Sequence, residues 1–134
     1  MARAKYAHMQ SDEADVWERF LLRMPWRATR IVYDVRLGEG ARVDAGVPEW
    51  VKRMAWALST KRVDVLVETA TEFIIVEVKG RGALSAVGQL LGYLVLFNQQ
   101  YSPQKRVRLA LVCGNIAPDM GPILTEYGIE TYVV

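Results

Sequence analysis

Asp64, Glu77 and Lys79 are ionisable residues set deep in otherwise apolar strand-like sequence, R-V-D-V-L-V-E from Arg62 and F-I-I-V-E-V-K ending at Lys79. Burying a charge is costly unless it is paired or bound to a cation, so three in one hairpin need a chemical reason. With a turn at Thr69 to Glu72 and Glu68 facing Phe73, counting back pairs Leu66 with Ile75, Asp64 directly with Glu77, and Arg62 with Lys79. Strand alternation then predicts Asp64, Glu77 and Lys79 on one face, and Val63, Val65, Val67, Ile74, Val76 and Val78 together on the other. Facing carboxylates raise each other's pKa unless a cation lies between them. Mg²⁺ or Mn²⁺ suits carboxylates, water and phosphate oxygens. An ammonium on the same face can hold a water or meet charge developing on phosphorus. Together these groups form a minimal kit for phosphodiester hydrolysis.

The elements that must position this hairpin follow from periodicity and punctuation. Residues 1–10 have no periodicity and are read as a flexible N-terminal arm, with His8 in it as an incidental residue rather than a ligand; residues 11–134 are read as a single domain. Ser11 is the expected N-cap of a first helix, which carries an apolar stripe of Val16, Trp17, Phe20, Leu21 and Met24 and stops before Pro25. Ile31 to Leu37 alternates as a strand ending at Gly38-Glu39-Gly40. Pro48-Glu49-Trp50 opens a short helical pattern reaching Leu58. After the hairpin, Gly80 and Gly82 are expected to break the chain before a helix from about Ala83 to Asn98. Val107 to Cys113 is a strand, Pro118-Asp119 starts a short helix, Gly128 caps it, and Ile129 to Val134 closes the order as a strand. Strands this apolar need cover on both faces, which implies an α/β mixed central sheet flanked by helices.

Asp64 followed, after one turn, by E-V-K at Glu77 to Lys79 resembles the PD-(D/E)xK nuclease superfamily, the fold of many restriction enzymes, Holliday-junction resolvases and RecB-like nucleases. G-Q-L-L-G-Y, with Gln89 and Tyr93 one helical turn apart, is similar to the Q-x-x-x-Y motif of the RecB-like branch, and W-E-R-F-L-L resembles the first-helix acid of archaeal resolvases at Glu18. Val63 stands where the name-giving proline would be. The resemblance implies a restriction-endonuclease-like three-layer sandwich with about five strands and core order α-β-β-β-α-β, and a Mg²⁺- or Mn²⁺-dependent DNA nuclease. It implies metal binding by Asp64, Glu77, the Val78 carbonyl and Glu18, catalysis by Asp64, Glu77, Lys79 and Gln89, and support from Tyr93. Structure-selective cutting of the resolvase or RecB-like kind, in recombination or repair, suits so small a chain, and resolvase-like cutting of two strands would require a homodimer. The rival is a non-catalytic nucleic-acid-binding or assembly module of a phage or mobile-element complex. Retention of Asp64, Glu77 and Lys79 together speaks against it.

Composition bounds these readings. A chain of 134 residues holds one core, and a net charge of +2 neither demands nor excludes a polyanionic partner. Arg62, Arg81, Lys52 and Arg53 are the basic residues best placed to meet DNA, with Trp50 and Trp56 beside the last two. The single cysteine, Cys113, is expected as a buried thiol, no apolar signal core follows the N-terminus, and Leu84 to Phe97 falls short of the roughly 20 apolar residues of a membrane helix. A cytoplasmic, non-membrane protein is the expectation. Gly88 and Gly92, at the same spacing as Gln89 and Tyr93, are read as allowing close packing of their helix.

Overall fold

The computed structural model describes residues 6, 8–38, 45–53 and 61–134. Among them α1 (Ser11–Leu21), β1 (Arg30–Leu37), β2 (Lys61–Glu68), β3 (Glu72–Gly82), α2 (Leu84–Tyr101), β4 (Arg106–Ile116), α3 (Met120–Glu126) and β5 (Ile129–Val133) follow one another. Residues 49–53 are helical, in agreement with the short pattern opened by Pro48, and the rest of that pattern, Trp56 included, lies outside the described residues. No described helix is long and apolar enough to cross a membrane.

The strands form one five-stranded mixed sheet in the order β1-β2-β3-β4-β5, antiparallel from β1 to β3 and parallel from β3 to β5. Helices cover both faces, as the apolar strand sequences require. On one face α1 buries Ala14, Val16, Trp17 and Phe20 against Val65, Val67, Ile74, Val76, Val78, Ala110 and Val112. On the other, α2 and α3 cover Ile75, Leu109, Leu111 and Cys113. Part of the segment read as an arm is packed: Tyr6 is buried in the α1 layer, its ring 4.9 Å from that of Tyr33. The N-cap falls on Gln10 instead of Ser11, because Glu13 accepts a hydrogen bond from the Gln10 N–H (3.1 Å).

Two departures from simple strand geometry shape the site. The β2–β3 ladder has the expected register, Leu66 with Ile75 and Glu68 with Phe73, but its last pair is Val65 with Val76. Beyond that pair β2 stays with β1, out to Lys61 opposite Leu37, while β3 stays with β4, out to Gly82 opposite Ile116. The sheet is therefore notched between Asp64 and the end of β3. Gly80 and Gly82 do not break the strand. A side chain at Gly82 would crowd Leu111 (3.0 Å) and Cys113 (3.2 Å) in the core, so bare backbone there serves close approach, whereas one at Gly80 would meet only the exposed end of the Asp12 side chain of α1, which can swing aside.

The second departure is an inversion of side-chain direction. Ile31 and Tyr33 pack on the α1 face, whereas Val35 and Leu37 pack on the α2 face; in β2, Val65 and Val67 go to α1 and Val63 to α2. The all-apolar face expected from strict alternation thus loses Val63. The switch falls at Asp34, held at φ 56°, in the gap between the Tyr33–Val65 and Val35–Val63 pairs that sets it against Asp64. Aspartate tolerates this left-handed conformation better than the branched residues around it.

Candidate active site

The notch opens into a cavity of about 510 Å³. β2 and β3 bring Lys61, Arg62, Asp64, Glu77 and Lys79 to it. α2 closes another side with Gly88, Gln89, Gly92, Tyr93 and Leu96, and His8 and Glu13 complete the lining. Asp64, Glu77, Lys79, Gln89, Tyr93 and Arg62 are thus gathered as the sequence analysis expected.

Asp64 and Glu77 converge without forming a ladder pair. The Val78 N–H donates to Asp64 Oδ2 at 2.9 Å, so a carboxylate takes the bond that a β2 carbonyl would otherwise accept. Glu77 is 2% exposed; its Oε2 lies 3.2 Å from Lys79 Nζ, and no donor among the described residues reaches its Oε1. Burial, and then the charge of Asp64, push the Glu77 carboxyl up to about 8 against the opposing pull of Lys79. Burial alone would lower Lys79, but Glu77 and Asp64 outweigh it and the net shift is upward, so the side chain is an ammonium at neutral pH. Tyr93 is raised by burial and by the Glu77 and Asp64 carboxylates, which keeps its phenol protonated. Gln89 also presents a buried side-chain oxygen without a partner among the described residues.

His8, read from the sequence as incidental, and Glu13, which competes there with Asp15 and Glu18 as the first-helix acid, both line the cavity, as does Lys61, while Asp34 meets His8 and Arg62; neither Lys61 nor Asp34 was singled out from the sequence. His8 Nε2 stands 3.3 Å from Asp64 Oδ1 and Nδ1 stands 3.9 Å from Asp34 Oδ1. Contact with Asp64 raises the imidazole pKa and burial opposes the rise. Arg62 Nε reaches the same Asp34 oxygen at 3.8 Å. Nothing local marks His8, whose partner lies on a distant strand. Glu13 carried a signal: it sits four residues before Trp17, on the stripe that faces the sheet.

Glu18 does not reach the cavity. It stands five residues after Glu13, about 140° around the helix, and its charge acts on Tyr6. The first-helix acid at the site is Glu13. Arg81 bonds Asn115 Oδ1 at 3.3 Å and lines a separate groove with Arg19. Lys52 pairs with Glu49 at 3.3 Å, and neither it nor Arg53 lines the cavity. Gly88 and Gly92, expected to allow close packing, are exposed, with none of the described residues within 4 Å of a side chain built on either.

The donor set fits a hard divalent cation. Two carboxyl groups converge, one of them with a buried oxygen that no donor among the described residues reaches, and a cation there would favour the charged form of both. Among the described residues no group of three or more His, Cys, Asp or Glu is disposed to cage an ion unaided. Mg²⁺ needs no such cage, since it takes one or two carboxylates and completes its shell with water and substrate phosphate.

A family model described as "Endonuclease NucS C-terminal domain" matches residues 49–134. No curated protein sequence matches. Of the solved structures, "Structure of EndoMS-dsDNA2 complex" is similar with a TM-score of 0.51 and 19% identity over 94% of this chain. A "crystal structure of a repair endonuclease from Pyrococcus abyssi" is similar with a TM-score of 0.47 and 18% identity over 100% of the chain. The chain spans 46% and 47% of those two, about half their length.

Proposed function

We infer that this chain, which belongs to the endonuclease NucS C-terminal domain family, hydrolyses phosphodiester bonds of DNA in the cavity at the sheet notch. The observation that carries the reading is Glu77: a carboxyl group 2% exposed, beside Asp64 and Lys79 in a cavity open to a substrate. A buried acid raised in pKa by burial and a neighbouring carboxylate, and lining a cleft, is the pattern of a functional group rather than of a surface ion pair. Duplex DNA is the first substrate to try, because the EndoMS structure is described as a complex with dsDNA.

Asp64 and Glu77 would hold Mg²⁺ or Mn²⁺, with the Val78 carbonyl as a further oxygen donor and Glu13, whose charge acts on Lys79, supporting the site from the cavity wall. Such an ion, when bound, supplies positive charge against the phosphoryl group as negative charge accumulates there. Lys79 is charged and so is no general base; it donates hydrogen bonds that hold the attacking water or the phosphoryl oxygens. Water adds to phosphorus as the bond to the leaving sugar oxygen breaks, and that oxygen ends protonated. Gln89 orients the phosphate or the water through its amide, and Tyr93 remains a neutral donor.

The test is incubation of labelled single-stranded, duplex, mismatched, branched and flap DNA with the chain in Mg²⁺, Mn²⁺ or chelator, beside Asp64→Ala and Lys79→Ala. Cleavage that needs a divalent ion and is lost in both variants is the expected result. Absence of cutting on every substrate, or unchanged cutting by both variants, refutes the assignment. DNA binding without cutting by the parent chain would favour a non-catalytic binding module.

A further inference from the structure

Gly88 and Gly92 occupy successive turns in the interior of α2, where glycine weakens a helix relative to alanine. Close packing against the described residues does not explain them: both are exposed, and a Cβ at either position would meet none of those residues within 4 Å. Both border the cavity, and so does the Glu77 carboxyl group, 2% exposed, whose Oε1 no donor among the described residues reaches. Gln89, beside Gly88 on α2, presents a second buried oxygen that no donor among those residues reaches. Lys61 and Arg62 contribute positive charge from β2 to the same space. The α2 side of the cavity thus exposes backbone at Gly88 and Gly92, between the side chains of Gln89, Tyr93 and Leu96, with cations on the β2 side.

We propose that Gly88 and Gly92 form a seat for the sugar-phosphate backbone of the DNA strand being cut. The absent side chains let the strand lie against α2, its phosphates directed to Lys61 and Arg62 and one phosphodiester brought beside Glu77 and Lys79. The seat rests on the nuclease reading of this cavity and adds the surface that admits the strand. Helix stability is given up for room, so filling that room with methyl groups should strengthen the helix and weaken DNA binding together. Glycines kept for packing would give the opposite stability effect.

The experiment uses the Gly88→Ala/Gly92→Ala double variant and Gly92→Leu. DNA affinity is read by fluorescence anisotropy on labelled duplex and single-stranded oligonucleotides in Ca²⁺, and stability by thermal melting. For the double variant the expectation is a melting temperature equal to the parent's or a few degrees higher, with the DNA Kd raised about fivefold or more. Gly92→Leu, with the larger side chain, should raise Kd further. Affinity within about twofold of the parent in both variants, or a lower melting temperature in the double alanine variant, overturns the seat. If the parent cuts DNA while the variants bind as tightly, the seat falls and the nuclease reading stands. If the parent binds without cutting and the variants bind more weakly, the seat stands and the nuclease reading falls. A parent that binds no DNA overturns both.

Discussion

The Val78 N–H donates to Asp64 Oδ2 at 2.9 Å, just beyond the Val65–Val76 pair where the β2–β3 ladder stops. One aspartate therefore closes the sheet locally and faces the cavity, and two substitutions separate these roles. Asp64→Asn keeps an oxygen for Val78 while giving up the charge that meets His8, so it should melt close to the parent while DNA cutting falls by roughly 100-fold or more. Asp64→Val gives up the same charge and also orphans a backbone donor, which costs about 1–3 kcal/mol. Its melting temperature should lie several degrees below that of the asparagine variant. Equal melting of the two would show that the bond does not hold the strands.

Glu77 makes stability depend on pH. Its carboxyl sits at about 8 in the folded chain against an ordinary 4.5, so between those values the folded state keeps a proton that the unfolded chain has released. Stability is then fully present below the ordinary value and declines as pH rises toward the folded one. His8, whose pKa is also raised, loses its contribution in the same direction, so the parent's slope alone is ambiguous. The measurement is melting temperature in chelator from pH 4.5 to 8.5 for the parent and for Glu77→Gln. The parent should lose more stability than the variant across this window, and Mn²⁺ should restore part of the loss only in the parent. Parallel curves would mean that Glu77 is not held protonated.

A separate cluster ties the sheet together at its other end. Arg108 of β4 donates to Glu130 of β5 (Nε to Oε2, 2.6 Å) and to Glu72 of β3 (Nη1 to Oε1, 2.7 Å), and Glu130 also accepts from the Tyr132 hydroxyl at 2.8 Å. The guanidinium fork spans three strands, which an ammonium cannot match. Arg108→Ala should destabilise by about 1.5–3 kcal/mol and Arg108→Lys should recover only part of that. Chemical denaturation reads both. Since Arg108 lies outside the cavity, the DNA-cutting rate of folded Arg108→Lys should stay within about twofold of the parent's, and a larger drop would couple the two ends of the sheet.

The order of elements was legible because each rests on local signals: the α1 stripe, the apolar alternation of β2 and β3, the Thr69 to Glu72 turn and the glycine before β5. The register from Glu68 to Val65 was legible for the same reason, since the turn fixes it and the apolar pattern admits no slip. Extending that count to Asp64 and Glu77 assumed a regular ladder. The inversion at Asp34 ends that regularity, and a positive φ in a strand leaves no mark in a pattern of apolar and polar residues. His8 was hidden for another reason: it reaches Asp64 across the fold, whereas periodicity reports only neighbours along the chain.

Glu13 and Glu18 give the sharpest test of how α1 serves the site. A glutamate followed by arginine and an apolar run drew attention to Glu18, but a helix turns by about 100° per residue, so which glutamate faces the sheet depends on its spacing from Trp17. Four residues before Trp17, Glu13 continues the buried stripe and lines the cavity, whereas Glu18, adjacent to Trp17, is carried round toward Tyr6. Glu13→Gln retains an oxygen for the Gln10 N–H, so the helix start and the melting temperature should be preserved. Its Mn²⁺ affinity should fall by about 10–100-fold, the range seen when a group supporting a metal site is lost, with a parallel loss of DNA cutting. Glu18→Gln should match the parent in both. Calorimetric Mn²⁺ titration beside a cleavage assay decides it: a deficit in Glu18→Gln with none in Glu13→Gln would reverse the assignment and require α1 to be rotated from the orientation that buries Trp17 and Phe20.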